Sequence, residues 1–442
     1  MKQVLLIGRG PLPSPTEPQT GFSQLRTAAF AQALATTGHA VRLVLLVPEA
    51  NAKVPAEWSG TIEVSEEGPG WLDLIAQLSV GSDLIVSAGP YNPGRAAVAV
   101  ARDQPVWADV PGDPLAELAA LSRVTSGGLS QTQVAAAQAA ACAVLGRADA
   151  ISVISAAQRH ATLGQLGLLG RNLLASSEPL VEVVPITNNI GVAPQAPREP
   201  SKGEPIVVAL SGAFNPWFDD QAAAAILERT FALRSDLSVI VTGGGISGFY
   251  EEGFRRFSKW AKAHPDRVEV CGWVPHGRLP HLLGKAHVGL SIDHSGPEPE
   301  LGSRTRLLLF GTLGLLPVST TRCELAREWE GKNALTALPF QDIDGAATVL
   351  GQLKVDTGIA ARAQALTHAD FGVSSALAPL VAWCDQPRRT TSAPNAEATM
   401  AAELEVQRSE LARIYASPTW TALNRLHAAG QATVSRLKDR SK

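Results

Sequence analysis

The chain has 442 residues, a formal net charge of −3 and an isoelectric point near 6.3. Its length is too great for one core and suggests about three domains, although two larger ones fit the sequence pattern better. Its charge argues against nucleic-acid binding through a basic surface. The cysteines Cys142, Cys271, Cys323 and Cys384 lack paired spacing, which predicts reduced thiols and no metal site.

No targeting or membrane-spanning segment is predicted. The first apolar run, at 4–7, is too short for a signal peptide. The longest apolar stretches, at 134–145 and 307–318, are shorter than the roughly 20 residues that span a bilayer. We therefore expect a cytoplasmic protein.

The first half has the pattern of a doubly wound parallel sheet. A strand at 4–7 precedes a Pro-rich loop ending at Gly21, a helix from Phe22 and a second strand at 41–47. No GxGxxG sequence follows the first strand, which argues against a nicotinamide dehydrogenase. The further elements that we predict are strands at 83–87, 105–110, 150–155 and 181–186 and an alanine-rich helix at 131–145.

Two carboxylates follow the predicted strand at 105–110. Asp113 stands before Pro114 and is predicted to cap the next helix. Asp109 is the functional candidate, either orienting an acceptor hydroxyl or acting as a weak base, because polar groups at this rim face the cleft between domains. A turn-forming role for Asp109 is the alternative.

The second half repeats the plan after a linker. Residues 190–205 contain prolines among charges, a composition that marks a domain boundary. Strands are predicted at 206–210 and 239–242, and glycines beyond such strands let a ligand approach the backbone. The donor-site candidates in these two loops are Gly212, Asn215, Thr242, Gly243 and Gly244.

The stretch from 268 to 320 carries the main site prediction. A strand ends in the turn Trp273-Val274-Pro275, and a second strand at 288–292 leads to Glu300. Gly302 and Ser303 then begin a helix whose unpaired N–H groups and positive dipole end favour an anion. Arg304 and Arg306 add guanidinium groups suited to phosphate oxygens, and Glu300 offers a carboxylate to sugar hydroxyls. A plain βαβ unit with exposed arginines is the alternative.

This succession, continued by Gly-Leu-Leu-Pro-Val at 314–318, resembles the retaining, nucleotide-sugar-dependent glycosyltransferases of the GT-B fold (family 4-like, glycosyl transferases group 1). The resemblance implies two Rossmann-like domains facing across a cleft. It also places Trp273-Val274-Pro275 near the nucleobase, Glu300 near the donor sugar and Gly21 near the donor phosphate or acceptor. The family has two glutamates in this region. Glu300 matches the first, but Leu308 and Leu309 stand where the second would be.

A tail follows a Pro/Ser/Thr-containing break at 386–399. Its apolar residues recur at helical spacing and Pro418 bends it, while 413–442 carries six basic residues against Asp439. Such a helix either lies on an anionic membrane face or packs on the first domain or a second subunit.

The sequence thus predicts an acceptor-side domain at 1–190, a nucleotide-sugar-binding domain at 206–385 and a basic amphipathic tail at 400–442. The predicted reaction is metal-independent hexosyl transfer from a nucleotide-diphosphate sugar to a glycan or lipid-linked acceptor, with no other cofactor. Retention, and a role in cell-surface polysaccharide or lipopolysaccharide biosynthesis at the inner membrane face, are implied by the resemblance. The alternatives are a catalytically silent nucleotide-sugar-binding subunit and a GT-B nucleotide-sugar epimerase.

Overall fold

The computed structural model describes most of the chain up to residue 390 and parts of the tail. The described residues are 1–14, 17, 19–47, 61–65, 70–171, 180–187, 191–390, 404, 407, 408, 410, 411, 413–415, 417–420, 422, 423, 425 and 426.

The first domain is built on a parallel sheet of seven strands in the order β3-β2-β1-β4-β5-β6-β7. Its strands are β1 (Gln3–Arg9), β2 (Ala40–Val47), β3 (Ile62–Ser65), β4 (Leu84–Ser87), β5 (Val106–Asp109), β6 (Ala150–Val153) and β7 (Val181–Val183). Its helices are α1 (Phe22–Thr36), α2 (Trp71–Leu78), α3 (Asn92–Val100), α4 (Pro114–Val124), α5 (Gln131–Arg147) and α6 (Ala156–Leu168). Apolar clusters cover both faces of this sheet, which explains why its central strands are continuous hydrophobic runs.

The second domain has a parallel sheet of six strands in the order β10-β9-β8-β11-β12-β13. Its strands are β8 (Ile206–Ser211), β9 (Leu237–Thr242), β10 (Val268–Gly272), β11 (Val288–Ser291), β12 (Leu316–Thr320) and β13 (Thr336–Leu338). Its helices are α7 (Asp220–Leu233), α8 (Glu252–Ala261), α9 (Leu279–Leu283), α10 (Pro297–Leu301), α11 (Thr305–Thr312), α12 (Glu324–Gly331), α13 (Ile343–Gly351) and α14 (Thr357–Asp370).

The last helices of the main body, α15 (Val373–Ala376) and α16 (Ala378–Asp385), return to the first domain. Leu377, Leu380 and Cys384 are buried in the core beneath β1, β2 and β4. Trp383 packs on Trp107 of β5, with ring centroids 5.5 Å apart. The predicted second domain extends to residue 385, whereas the packing of these residues joins them to the first sheet.

Strand order reverses beside the first strand of each domain. β1 lies between β2 and β4, and β8 lies between β9 and β11. Loops that leave such neighbouring strands in opposite directions open a crevice at the carboxyl edge of the sheet, which is where ligands bind in open α/β folds. The predicted fold class, two parallel α/β domains, is therefore confirmed.

The two domains contact each other through α10 and the starts of α6 and α12. The Ser155 hydroxyl donates to the Leu301 carbonyl at 2.5 Å, and the Arg123 guanidinium donates to the Ser295 carbonyl. The Glu324 carboxylate accepts from the N–H groups of Ala156 and Ala157 at 3.1 and 3.0 Å. The segment that leads into α11 therefore lies against the opposite domain.

The described parts of the tail are helical pieces with apolar side chains in solvent. Leu404, Leu411, Ile414, Leu423 and Leu426 are all exposed, as the predicted stripe requires if no other surface covers it. The predicted stripe residues Val434 and Leu437 lie outside the described residues. Within the described part of the chain, no helix is both long and apolar enough to span a bilayer.

Candidate functional site

The loops after β8 and β9 touch each other through glycines. Gly212 and Gly243 have φ values of +98° and +94°, a region that L side chains rarely adopt. A Cβ on Gly243 would lie 2.2 Å from the Gly212 carbonyl oxygen, so only glycine fits there. The Thr242 hydroxyl donates to Ser211 Oγ at 2.9 Å in a buried contact. Thr242 and the two glycines thus fix the shape of this loop pair.

Two predicted donor-site side chains flank the loop pair. Asn215 is half-buried, and its Oδ1 has no hydrogen-bond partner among the described residues. Trp273 donates its indole N–H to the Gly245 carbonyl at 2.9 Å and packs against Gly244, and Val274 and Pro275 are half-buried beside it. A buried acceptor without a partner is costly in the free protein, and a donor group of a ligand that reached Asn215 Oδ1 would offset this cost.

The segment before α11 is held by a buried ion cluster. The Arg304 guanidinium, 3% exposed, donates to Asp293 at 2.9 Å and to both Glu298 oxygens at 3.2 and 2.8 Å. Burial opposes the charged form of Arg304, but these carboxylates outweigh it and raise its pKa above the ordinary value. Burial also raises the pKa of Glu298, against the effect of Arg304. Arg304, predicted to meet phosphate, is therefore occupied by protein carboxylates.

Arg306 differs from Arg304 in having no such partner. It donates to the Ala213 carbonyl at 2.9 Å and lies over the Phe218 ring, 4.6 Å from its centroid. Among the described residues no carboxylate forms an ion pair with it. Burial lowers the pKa of Arg306 to about 10; the Asp293 and Glu298 carboxylates oppose this shift, and the charge of Arg304 adds to it. A partly desolvated guanidinium without an ion pair attracts an anion.

The helix start predicted near Ser303 is at Thr305. α10, which the sequence did not predict, occupies 297–301 and ends at Gly302, whose N–H donates to the Glu298 carbonyl at 2.7 Å. Arg304 stands at the N-cap of α11, and its side chain does not cap the helix. The Ser303 carbonyl accepts from Arg304 at 3.0 Å. The first amides of α11 are thus left without a side-chain cap, next to Arg306.

Glu300 points to a different neighbour. Its carboxylate accepts from Arg322 at 2.5 Å, and its side chain is 53% exposed. Arg322 follows β12 and lies over the Phe340 ring. Glu300 therefore stands at the rim of the crevice, where an exposed ion pair is weak and can be exchanged for contacts with a ligand.

Asp109 is fully occupied inside the first domain. Its oxygens accept from Arg26 Nε and Nη2 at 3.0 and 2.8 Å, from the Gly89 N–H at 2.9 Å and from the Ser152 hydroxyl at 2.6 Å. A carboxylate has about four acceptor positions, so none remains for an acceptor hydroxyl. These contacts give Asp109 a structural role in place of the predicted catalytic one.

Sequence reasoning missed Arg26, although a signal for it exists. Arg26 lies on the apolar stripe of α1, facing the core with Ala29 and Ala33, and is 1% exposed. A charge on an apolar helix face requires a buried counter-ion, and Asp109 is the counter-ion.

The other two first-domain predictions, for Asp113 and Gly21, have different outcomes. Asp113 caps α4, accepting from Leu115 and Ala116, and Gly21 precedes α1 as its N-cap without a contact that assigns it to a ligand.

The structure also reveals a carboxyl that the sequence analysis passed over. Glu117, in the first turn of α4, accepts a hydrogen bond from the Tyr91 hydroxyl. Burial raises the pKa of Glu117 to about 8, the charges of Glu298 and Asp113 add to the shift, and the Tyr91 hydrogen bond opposes it. Since Glu298 belongs to the second domain, Glu117 lies where the two domains meet.

No protein-family model matches the chain, and no curated protein matches it. Solved structures do. The HepE protein of Anabaena in complex with UDP and glucose is 15% identical with a TM-score of 0.61, over 87% of this chain and 100% of that one. The sucrose-phosphate synthase of Thermosynechococcus elongatus is 16% identical with a TM-score of 0.61, over 87% and 99%. The fold is GT-B.

A third GT-B structure, the lipopolysaccharide outer core galactosyltransferase WaaB in its apo form, is 12% identical with a TM-score of 0.53, over 86% of this chain and 98% of that one. At these identities the likeness establishes the fold alone. The carboxyl edge of the second sheet carries the predicted donor-site features, namely Asn215, the Gly212–Gly243 contact, Trp273 and Arg306. Glu117 stands on the first-domain side of the interdomain contact.

Proposed function

We propose that the protein is a glycosyltransferase that moves a hexose from a nucleoside diphosphate sugar to a glycan or glycolipid acceptor. The observation that carries this proposal is the half-buried Arg306, which forms no ion pair with a described carboxylate and lies beside the uncapped start of α11. Both groups favour a dianion at the same place, and that place adjoins the contact between the two domains. HepE, a structural neighbour with this fold, has been crystallised with UDP-glucose.

The proposed chemistry follows from where charge develops. When the bond between sugar and diphosphate breaks, negative charge builds on the departing phosphate oxygens. The N–H groups at the start of α11 and the Arg306 guanidinium would stabilise that charge without a metal ion. Arg304 would act indirectly, because its ion cluster with Asp293 and Glu298 fixes the segment from which α11 begins.

The other donor contacts are assigned by position. Gly212, Gly243 and Gly244 would let the diphosphate approach the backbone, and the free Asn215 Oδ1 would accept from a donor hydroxyl or N–H group. The Trp273-Val274-Pro275 turn would meet the nucleobase. Glu300 would exchange Arg322 for sugar hydroxyls. Retention of anomeric configuration and a role in cell-surface polysaccharide or lipopolysaccharide assembly are supported by the motif resemblance.

The test is a donor screen followed by a turnover assay. UDP-, GDP-, ADP- and dTDP-sugars are screened by thermal shift, since a ligand of the native state raises its melting temperature. The stabilising donor is then incubated with glycoside acceptors in EDTA. Transfer of sugar supports the proposal. No donor binding at all contradicts it.

A silent nucleotide-sugar-binding subunit is the second candidate, favoured by the leucines at 308 and 309 where the resembling family has a glutamate. Both side chains are buried in the core of the second domain, so neither reaches a ribose. Donor binding without hydrolysis or transfer would support this candidate. Donor isomerisation without an acceptor would instead indicate an epimerase.

A further inference from the structure

Tyr91 and Glu117 form a side-chain pair at the carboxyl edge of the first sheet. Tyr91 follows β4 and precedes α3, and Glu117 lies in the first turn of the helix that follows β5. Tyr91 has φ 64° and ψ −108°, in the half of conformational space that residues with a Cβ avoid. Such a conformation persists only where surrounding contacts fix it, and such residues cluster at functional sites.

The pair faces the second domain. α4 packs against α10, which carries Glu298 and leads into the start of α11. Arg123 of α4 donates to the Ser295 carbonyl just before α10. Tyr91 keeps 37% of its surface exposed, and Glu117 is half-buried. A molecule entering between the domains can therefore reach this pair.

The carboxyl of Glu117 is suited to an uncharged hydroxyl. Its pKa of about 8 leaves it mostly protonated at neutral pH, so it offers one O–H donor as well as acceptor lone pairs. The groups that act on it are Tyr91, Asp113 on its own helix and Glu298 across the contact; Arg9 acts on Tyr91. The Asp113 carboxylate makes this end of the cleft unfavourable for an anionic group, whereas the charge of Glu298 is offset by Arg304.

We propose that Glu117, held by Tyr91, binds a neutral saccharide hydroxyl of the acceptor and positions it toward the donor at the start of α11. This inference rests on the proposed function and names the acceptor class. It assigns to Glu117 the acceptor contact that Asp109, with its oxygens occupied, does not make. Gly112 leaves room for the Glu117 carboxyl, because a Cβ at residue 112 would lie 2.6 Å from Glu117 Oε1.

The test measures donor and acceptor KM for four proteins: wild type, Glu117→Ala, Glu117→Gln and the exposed control Asp103→Ala. The donor is the nucleotide sugar with the largest thermal shift, and the acceptors are octyl glucoside and its anionic analogue octyl glucuronide. We expect Glu117→Ala to raise the glucoside KM at least tenfold, with the donor KM within twofold. Glutamine can also donate and accept, so Glu117→Gln should stay within threefold of wild type.

A pH series separates binding from a structural role. The wild-type glucoside KM should rise above about pH 8 as Glu117 ionises, and the Glu117→Gln profile should lack that rise. Equal glucoside KM in Glu117→Ala and wild type, equal use of glucuronide, or donor binding without transfer to either glycoside overturns this inference. Absence of donor binding by the wild type contradicts the proposed function itself.

Discussion

Three arginines, two of them buried and one half-buried, show how partners decide the role of a guanidinium. Arg26 is neutralised by Asp109, and Arg304 by Asp293 and Glu298. Among the described residues, Arg306 contacts the Ala213 carbonyl and the face of Phe218 and forms no ion pair. Burying a charge without a counter-ion is unfavourable, so the energy lost in the free protein is recovered when an anion binds.

Replacing Arg306 with methionine should weaken nucleoside diphosphate binding by about 1.5–3 kcal/mol, the range for a hydrogen bond to a charged group. The folded-state pKa of Arg306 is below its ordinary value, so the charged form destabilises the fold at every pH below about 10. The ligand-free variant should therefore melt no lower than the wild type. Calorimetry and thermal melts check both, with the exposed Arg255→Met as control. Unchanged nucleotide affinity would remove Arg306 from the site.

Arg304→Met, unlike Arg306→Met, should destabilise the fold. It leaves the buried carboxylates of Asp293 and Glu298 without their partner, and breaking a buried pair costs about 3–5 kcal/mol. We expect a lower free energy of unfolding in urea, together with a loss of nucleotide affinity through the displaced start of α11. A variant with wild-type stability would show that the ion cluster does not hold this segment.

The sequence could identify the arginines but not their partners. Arg26 and Asp109 are 83 positions apart, and nothing local to either residue pairs them. Arg304 and Arg306 look equivalent in the sequence, and only the contacts of Asp293 and Glu298 distinguish them. The role of Glu117 depends on Tyr91 and on a helix from the other domain, neither of which its own segment reveals.

Among the elements, the strands were the most predictable, because buried parallel strands are continuous apolar runs. α10 and α14 were missed for different reasons. α10 is a five-residue helix containing two prolines, and it packs against α4 and α6 of the other domain. The inward face of α14 is made of small residues, Ala360, Ala363 and Thr367, which give a weak periodic signal.

The hydrogen bonds at the start of α6 join the two domains and can be tested by substitution. Ser155 caps its third amide, and Glu324 of the second domain accepts from its first two. Loss of such a cap costs about 0.5–2 kcal/mol of stability. Because Glu324 belongs to the second domain, its loss would weaken the contact between the domains. Glu324→Ala should therefore increase the radius of gyration in small-angle scattering, whereas Glu328→Ala on the same helix should not. Identical scattering from both variants would exclude Glu324 as an interdomain contact in solution.

At the scale of the whole molecule, the two-domain plan follows from the repeated strand pattern and the Pro-rich linker. The return of α16 to the first sheet does not, because its apolar residues suit either core. The surface that the tail contacts is not predictable from the sequence either. In the structure its described apolar side chains are exposed. We propose that it contacts anionic membrane through its basic and apolar residues.

Deletion of residues 400–442 tests the tail separately from the cleft. The truncated protein should lose co-sedimentation with vesicles that contain phosphatidylglycerol, while nucleotide affinity stays unchanged, because none of the donor-site residues lies in the tail. The full chain on neutral phosphatidylcholine vesicles is the control. Equal sedimentation of both chains with anionic vesicles would exclude the membrane role.

The central claim is that a nucleoside diphosphate binds at the start of α11 between the domains. Hydrogen–deuterium exchange, with and without the nucleotide that gives the largest thermal shift, tests it most directly. Binding there should slow exchange in 211–219, 242–246 and 303–307 and leave the exposed helix α2 of the first domain unchanged. Protection confined to other segments, with none at 303–307, would contradict the account.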